Sequence, residues 1–76
     1  MSDPKSEFWE WVKEKRSEDL KKLVELAKKE CYPWVHDELD LYYCLSELYK
    51  RHDIHIPLNY WLVELVHEII IGRMSL

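Results

Sequence analysis

Glu64 and His67 stand three residues apart, a spacing that puts a carboxylate and an imidazole on one helical face. Di-metal sites in helical bundles use this pairing because both side chains then reach one ion. Such a site needs a second copy of the motif and further carboxylates. A symmetric dimer would repeat the motif, and Asp37, Glu38 or Asp40 would have to supply the rest. His52 and His55, with Asp53 between them, have a spacing usable for zinc only if Cys31, Cys44 or His36 converges on them. The simpler expectation for Glu64 and His67 is a polar edge facing solvent. For His52 and His55 it is an exposed loop, or a cap on the preceding helix through its C-terminal dipole. A structural metal is not expected.

Nucleophilic chemistry is poorly provided for. Cys31 or Cys44 with His36 makes an unspecific pair, and Cys44 lies among apolar positions that would raise its pKa and leave it inert. The two cysteines show no CxxC spacing. They are expected to be small buried thiols, with a single disulfide as the alternative in an oxidising compartment. The chain has one Gly, so a phosphate-cradling loop is not expected either. No enzymatic activity and no cofactor are expected.

The aromatic residues are the stronger clue. One Phe, four Trp and five Tyr are too many for the core of a chain of 76 residues. Trp and Tyr dominate binding hot spots. Trp9, Trp34, Tyr43 and Tyr60 fall off, or at the edge of, the apolar stripes drawn below, and Ile71 extends the last helix beyond its main face. These five are the candidate partner-binding residues. The competing expectation is that the rings only cover the margins of the core with their polar tips wet.

Positioning these groups falls to helices. Gly supplies the positive-φ positions of hairpins, so a β-rich chain of this length would need more of it. Each of the three Pro sits where a helix could begin, and Pro is tolerated at the first helical position. A first helix is expected from Asp3, as cap, to about Arg16, with Phe8, Trp11 and Val12 on its inner face. A break near Arg16 and Ser17 leads to a second helix, from about Glu18 to Cys31. Its core face is Leu20, Leu23, Val24, Ala27 and Cys31, and Glu18–Lys22 and Glu25–Lys29 are paired at i, i+4. A third helix is expected from Pro33 or Trp34 to Arg51, with Val35, Leu39, Leu41, Tyr42, Leu45, Leu48 and Tyr49 as its apolar face, wider than one stripe, and a fourth from Pro57 to about Arg73. In the fourth, Leu58, Trp61, Leu62, Leu65, Val66 and Ile69 face the core, and Ile56 and Trp61 form a hydrophobic staple. The expected fold is one all-α domain spanning the chain. It is a compact bundle of four helices, or three if the first two fuse, mostly antiparallel with short loops.

Composition narrows the function classes. The formal net charge is −4, and acidic and basic residues are interleaved, which disfavours a dedicated nucleic-acid binder. The third and fourth helices could be read as a helix-turn-helix, the runner-up reading. However, the N-terminal end of the fourth offers base edges only Asn59 and Tyr60. The longest apolar run, 61–71, is broken by Glu64, His67 and Glu68 and is far short of the roughly 20 residues that cross a bilayer. No signal peptide is read in the polar start, so a cytoplasmic location is expected. Gln and Thr are absent, a profile resembling proteins of hot-living organisms. The leading expectation is a small non-catalytic interaction module, an accessory subunit or inhibitor that docks on a larger protein, or a homodimer.

Overall fold

The structure is a computed structural model that describes residues 3–76. Among the described residues there are four helices and no strand: α1 (Pro4–Lys15), α2 (Ser17–Glu30), α3 (Glu38–Arg51) and α4 (Tyr60–Ile70). α2 and α4 each pack on all the other helices, while α1 and α3 do not touch among the described residues. The core is the fully apolar set this arrangement encloses. Leu20, Leu23, Val24 and Ala27 of α2 meet Leu41, Leu45 and Leu48 of α3 and Leu62, Val63, Leu65 and Val66 of α4. Val12 is α1's one buried contribution. Among the described residues no polar side chain is buried with them.

The helix starts follow the side-chain caps more closely than the prolines. α1 begins as expected: the Asp3 carboxylate accepts the Lys5 N–H at 3.4 Å, and Pro4 opens the helix. α3 does not begin at Pro33. Residues 31–34 form a turn in which the N–H groups of Trp34 and Val35 both donate to the Cys31 carbonyl. The helix begins only after Asp37, whose carboxylate accepts the Asp40 N–H at 2.9 Å. Asp40 reaches back to the His36 N–H at 3.1 Å, in the manner of a capping box. α4 likewise ignores Pro57 and begins after Asn59, whose side chain accepts the Leu62 N–H at 2.9 Å. Asp and Asn each satisfy an orphan N–H, whereas Pro only removes one. With the cap at Asn59, Ile56 falls outside the staple position. It is buried in the core while Trp61 is exposed, so the staple expected between them is not made.

α4 ends earlier than expected, and here its single Gly is needed. Gly72 has φ +86°, its N–H donates to the Ile69 carbonyl, and the Arg73 N–H donates to the Glu68 carbonyl. This 5→2 and 6→1 pair is the Schellman arrangement that closes a helix with a left-handed residue.

The break between α1 and α2 falls where the sequence places it. Arg16 ends one helix and starts the next: its N–H donates to Val12 and its carbonyl accepts from Leu20. Its guanidinium also donates to the His55 carbonyl at 3.0 Å, and Asp19 accepts the His55 N–H at 2.9 Å. His55 belongs to residues 52–59, which run back along α3. Tyr49 donates to the Ile56 carbonyl at 2.8 Å, and Tyr60 stacks on Tyr42. This strap places the start of α4 beside the first turns of α3. The Cys31–Cys44 bond ties the end of α2 to the middle of α3, and Asp19, in the first turn of α2, holds His55 of the strap beyond α3.

Cys31 and Cys44 form a disulfide, with Cα atoms 5.9 Å apart. The expectation of two free thiols is thereby corrected. Both residues are buried as expected, but the packing of α2 on α3 brings them face to face, which a separation of 13 residues does not reveal by itself.

Candidate interaction surface

α1 packs with its apolar stripe rotated from the expected one. Trp11, expected in the core, is exposed, while Trp9 is half-buried. Trp9 turns inward because its indole N–H finds an acceptor there, the Trp61 carbonyl at 2.8 Å. The Lys5 ammonium also lies 4.9 Å from its ring centre. Trp9 is therefore a joint between α1 and α4, not a free ring. Trp61, also expected inside, is 40% exposed, and Val63 takes the buried place.

The other proposed contact residues are all at the surface. Trp34 is 50% exposed, Tyr43 61% and Tyr60 53%, and Ile71 is exposed as well. The structure joins two of them through rings the sequence assigned elsewhere. Trp11 lies 6.1 Å from Phe8, and Phe8 lies 6.0 Å from Trp61. Trp61 and Tyr60 border one shallow depression. Tyr60 stacks on Tyr42 at 5.1 Å, and Tyr42 meets Tyr43 edge-on at 6.2 Å. The result is an aromatic belt of two ring clusters, Trp11–Phe8–Trp61 on α1 and α4 and Tyr60–Tyr42–Tyr43 on α4 and α3, that adjoin at the consecutive residues Tyr60 and Trp61. Trp34 shares with Tyr42 and Tyr43 an open groove of about 460 Å³ whose wall includes Cys44. Ile71 is not part of the belt. It follows Tyr60 by eleven residues, about 16 Å along the helix axis.

Phe8, Tyr42, Trp11 and Trp61 were missed as belt members because apolar periodicity assigns them to the core. Helices ringed by aromatic residues leave the choice of inner face to packing, and the hydrogen bond of Trp9 decides it here. The exposed Leu39, one turn before Tyr43, was missed for the same reason.

The groupings weighed for metal or nucleophilic chemistry are dispersed. The Glu64 carboxylate accepts from the Lys5 ammonium at 2.7 Å. This bond, more than the neighbouring charges, raises the Lys5 pKa. His67 Nδ1 shares a 2.8 Å hydrogen bond with the Tyr32 hydroxyl, whose pKa is raised by burial and by the charge of Glu38. His55 pairs with Asp53 at 3.3 Å. Among the described residues no three His, Cys, Asp or Glu side chains converge as metal ligands would. Both cysteines are bonded, so neither is a thiolate. Asn59, one of two residues at the start of α4 that could read a base edge, is occupied as the helix cap.

No known protein family, curated protein or solved structure matches this chain.

Proposed function

We propose that the protein is a small non-catalytic interaction module that docks on another protein through the aromatic belt. The observation that carries this reading is the pair of adjoining clusters of partly exposed rings, Trp11–Phe8–Trp61 and Tyr60–Tyr42–Tyr43. Scattered apolar residues are ordinary on a protein surface, but clustered Trp and Tyr are what binding centres are enriched in. The fold supports this use. The belt lies on three helices held by an apolar core, so its rings are already positioned before a partner arrives.

Residues assigned to the contact are Tyr43, Tyr60, Trp61 and Trp11, with Trp34 at the groove end. Trp9 holds the belt together from beneath, and Ile71 stands apart from it. The test is affinity capture with the wild-type chain beside Tyr43→Ala and Tyr60→Ala, with circular dichroism checking that all three are folded. A partner retained by the wild type and lost by both variants supports the reading, and a partner retained equally by all three overturns it. Light-scattering mass across micromolar concentrations separates docking on another protein from self-pairing. A wild-type dimer that both variants dissolve would assign the belt to a homodimer.

Among the described residues no helix is long and apolar enough to cross a membrane. The proposed cytoplasmic location now carries a condition. Disulfides persist inside cells chiefly in hyperthermophilic prokaryotes, a setting that the absence of Gln and Thr favours. Elsewhere the bond favours an oxidising compartment.

A further inference from the structure

We infer that the groove beside Trp34 is a site of thiol–disulfide exchange, in which a small thiol attacks Cys44 and expels Cys31. The inference goes beyond docking by the belt and stands on the disulfide and its surroundings. The two sulfurs are not equally covered. Cys31 is completely buried, whereas Cys44 keeps 6% of its surface exposed and lines the open groove of about 460 Å³. That volume falls within the range of small-molecule sites, about 300 to 1,000 Å³. Exchange at a disulfide depends on which sulfur a thiolate can reach. The groove leads to Cys44 and not to Cys31. A thiol must reach into the groove to meet it, which suits a small molecule better than a cysteine on a folded protein surface.

The step balances as an exchange. The incoming thiolate forms a bond to Cys44 Sγ, the bond between Cys44 and Cys31 breaks, and Cys31 leaves as a thiolate that takes a proton from water. A second small thiolate then attacks the sulfur of the first. Cys44 leaves as a thiolate and a small-molecule disulfide is released. The two small thiols are oxidised and the protein disulfide is reduced.

The surroundings give the exchange a structural consequence. The groove is lined by Glu30 and Trp34, from the end of α2 and the turn after it, and by residues of α3 that include Tyr43, Cys44 and Glu47. The turn hangs on Cys31, whose carbonyl accepts the N–H groups of both Trp34 and Val35. Among the described residues, two bonds cross from residues 30–34 to α3: the disulfide and the Glu30–Arg51 ion pair at 2.7 Å. An ion pair this open to water contributes little, so the disulfide is the stronger tie. Exchange removes that tie and leaves the added thiol in the groove that Trp34 and Tyr43 share.

The test uses the full oxidised chain with reduced glutathione as the probe. The reaction is quenched with acid at short times, free thiols are alkylated, and peptide mapping by mass spectrometry locates the adduct. Glutathione is expected on Cys44 in at least about tenfold excess over Cys31, and in denaturing urea the two should differ by less than about threefold. Glu47→Trp puts a bulky ring in the groove from an exposed position and should slow the reaction about fivefold or more. Glu14→Trp, exposed on α1, should leave the rate within about twofold of the wild type. Circular dichroism checks that both variants are folded. An adduct divided evenly between the two cysteines of the native chain would overturn the inference. So would a wild-type rate that rises with urea in step with global unfolding, because the bond would then be reached only in the unfolded chain. A folded Glu47→Trp variant that reacts as fast as the wild type would overturn it by removing the groove as the route.

Discussion

The indole N–H of Trp9 donates to the Trp61 carbonyl at 2.8 Å, so a ring on the first helix is pinned to the backbone of the last. Removing that donor while keeping an aromatic ring isolates its contribution. Trp9→Phe is expected to cost about 1 kcal/mol of stability, and Trp11→Phe, at an exposed ring, less than about 0.5 kcal/mol. Urea denaturation of both variants checks this, and equal costs would mean that the inner face of α1 has been assigned wrongly.

The disulfide closes the segment between α2 and the middle of α3, with a sequence separation of 13 residues. A loop of that length restricts the unfolded chain by about 3 kcal/mol in the chain-entropy account. Unfolding monitored with and without reductant should show a loss of that order, a large share for a domain of this size. The double variant Cys31→Ser/Cys44→Ser should lose at least as much and no longer respond to reductant.

The helix starts can be tested at their caps. Asp37→Ala and Asn59→Ala each remove a side-chain acceptor from the first turn and are expected to cost about 1 kcal/mol. Gly72→Ala should cost about the same, because φ +86° is strained for any residue with a Cβ even though no atom stands within 4 Å of where one would lie. Thermal melts of the three variants, beside Pro33→Ala as a turn residue outside the helices, would reveal a misplaced boundary if the Pro33 variant alone were severe.

Alkaline conditions should weaken the fold from the pH at which free tyrosines ionise. Burial and the nearby Asp19 charge raise the Tyr49 pKa well above the usual value of 10, and burial followed by the Glu38 charge raises that of Tyr32. Both hydroxyls keep their protons longer in the folded chain than in the unfolded one. Their contribution is complete below about pH 10 and is lost as pH rises from there toward the folded-state values. Denaturation midpoints should therefore fall above about pH 10, and Tyr49→Phe should flatten that decline. A midpoint unchanged up to pH 12 would contradict the burial of Tyr49.

The four helices and most of the core were legible in the sequence, because Leu20, Leu23, Val24, Ala27, Leu45, Leu48, Leu62, Leu65 and Val66 recur at helical spacing and are all buried. The break at Arg16 was legible because a polar run empties the apolar stripe there. Pro33 and Pro57 misled because the same residue type opens helices and lies in turns and straps. Asp37 and Asn59 were the better markers, each accepting a backbone N–H. The exposed state of Tyr43, Tyr60 and Trp34 followed from their places off the stripes, while Trp9 and Trp11 exchanged roles. A stripe of rings has no single inner side until a neighbour supplies an acceptor. Pairing of the cysteines depended on which helices lie side by side, which local spacing does not encode.

The belt also depends on parts of the chain far apart in sequence. Trp9 and Trp61 are 52 residues apart in the chain, and the strap must fold back along α3 before Tyr60 reaches Tyr42. Contacts so distant in sequence cost more loop-closure entropy than those within the segment closed by Cys31 and Cys44. A nascent chain that has left the ribosome only as far as α3 holds Phe8, Trp11, Tyr42 and Tyr43 but none of the α4 rings that join them. The joined surface therefore needs α4, and a partner of the kind proposed that gripped both clusters would select chains that include α4 over those made only as far as α3.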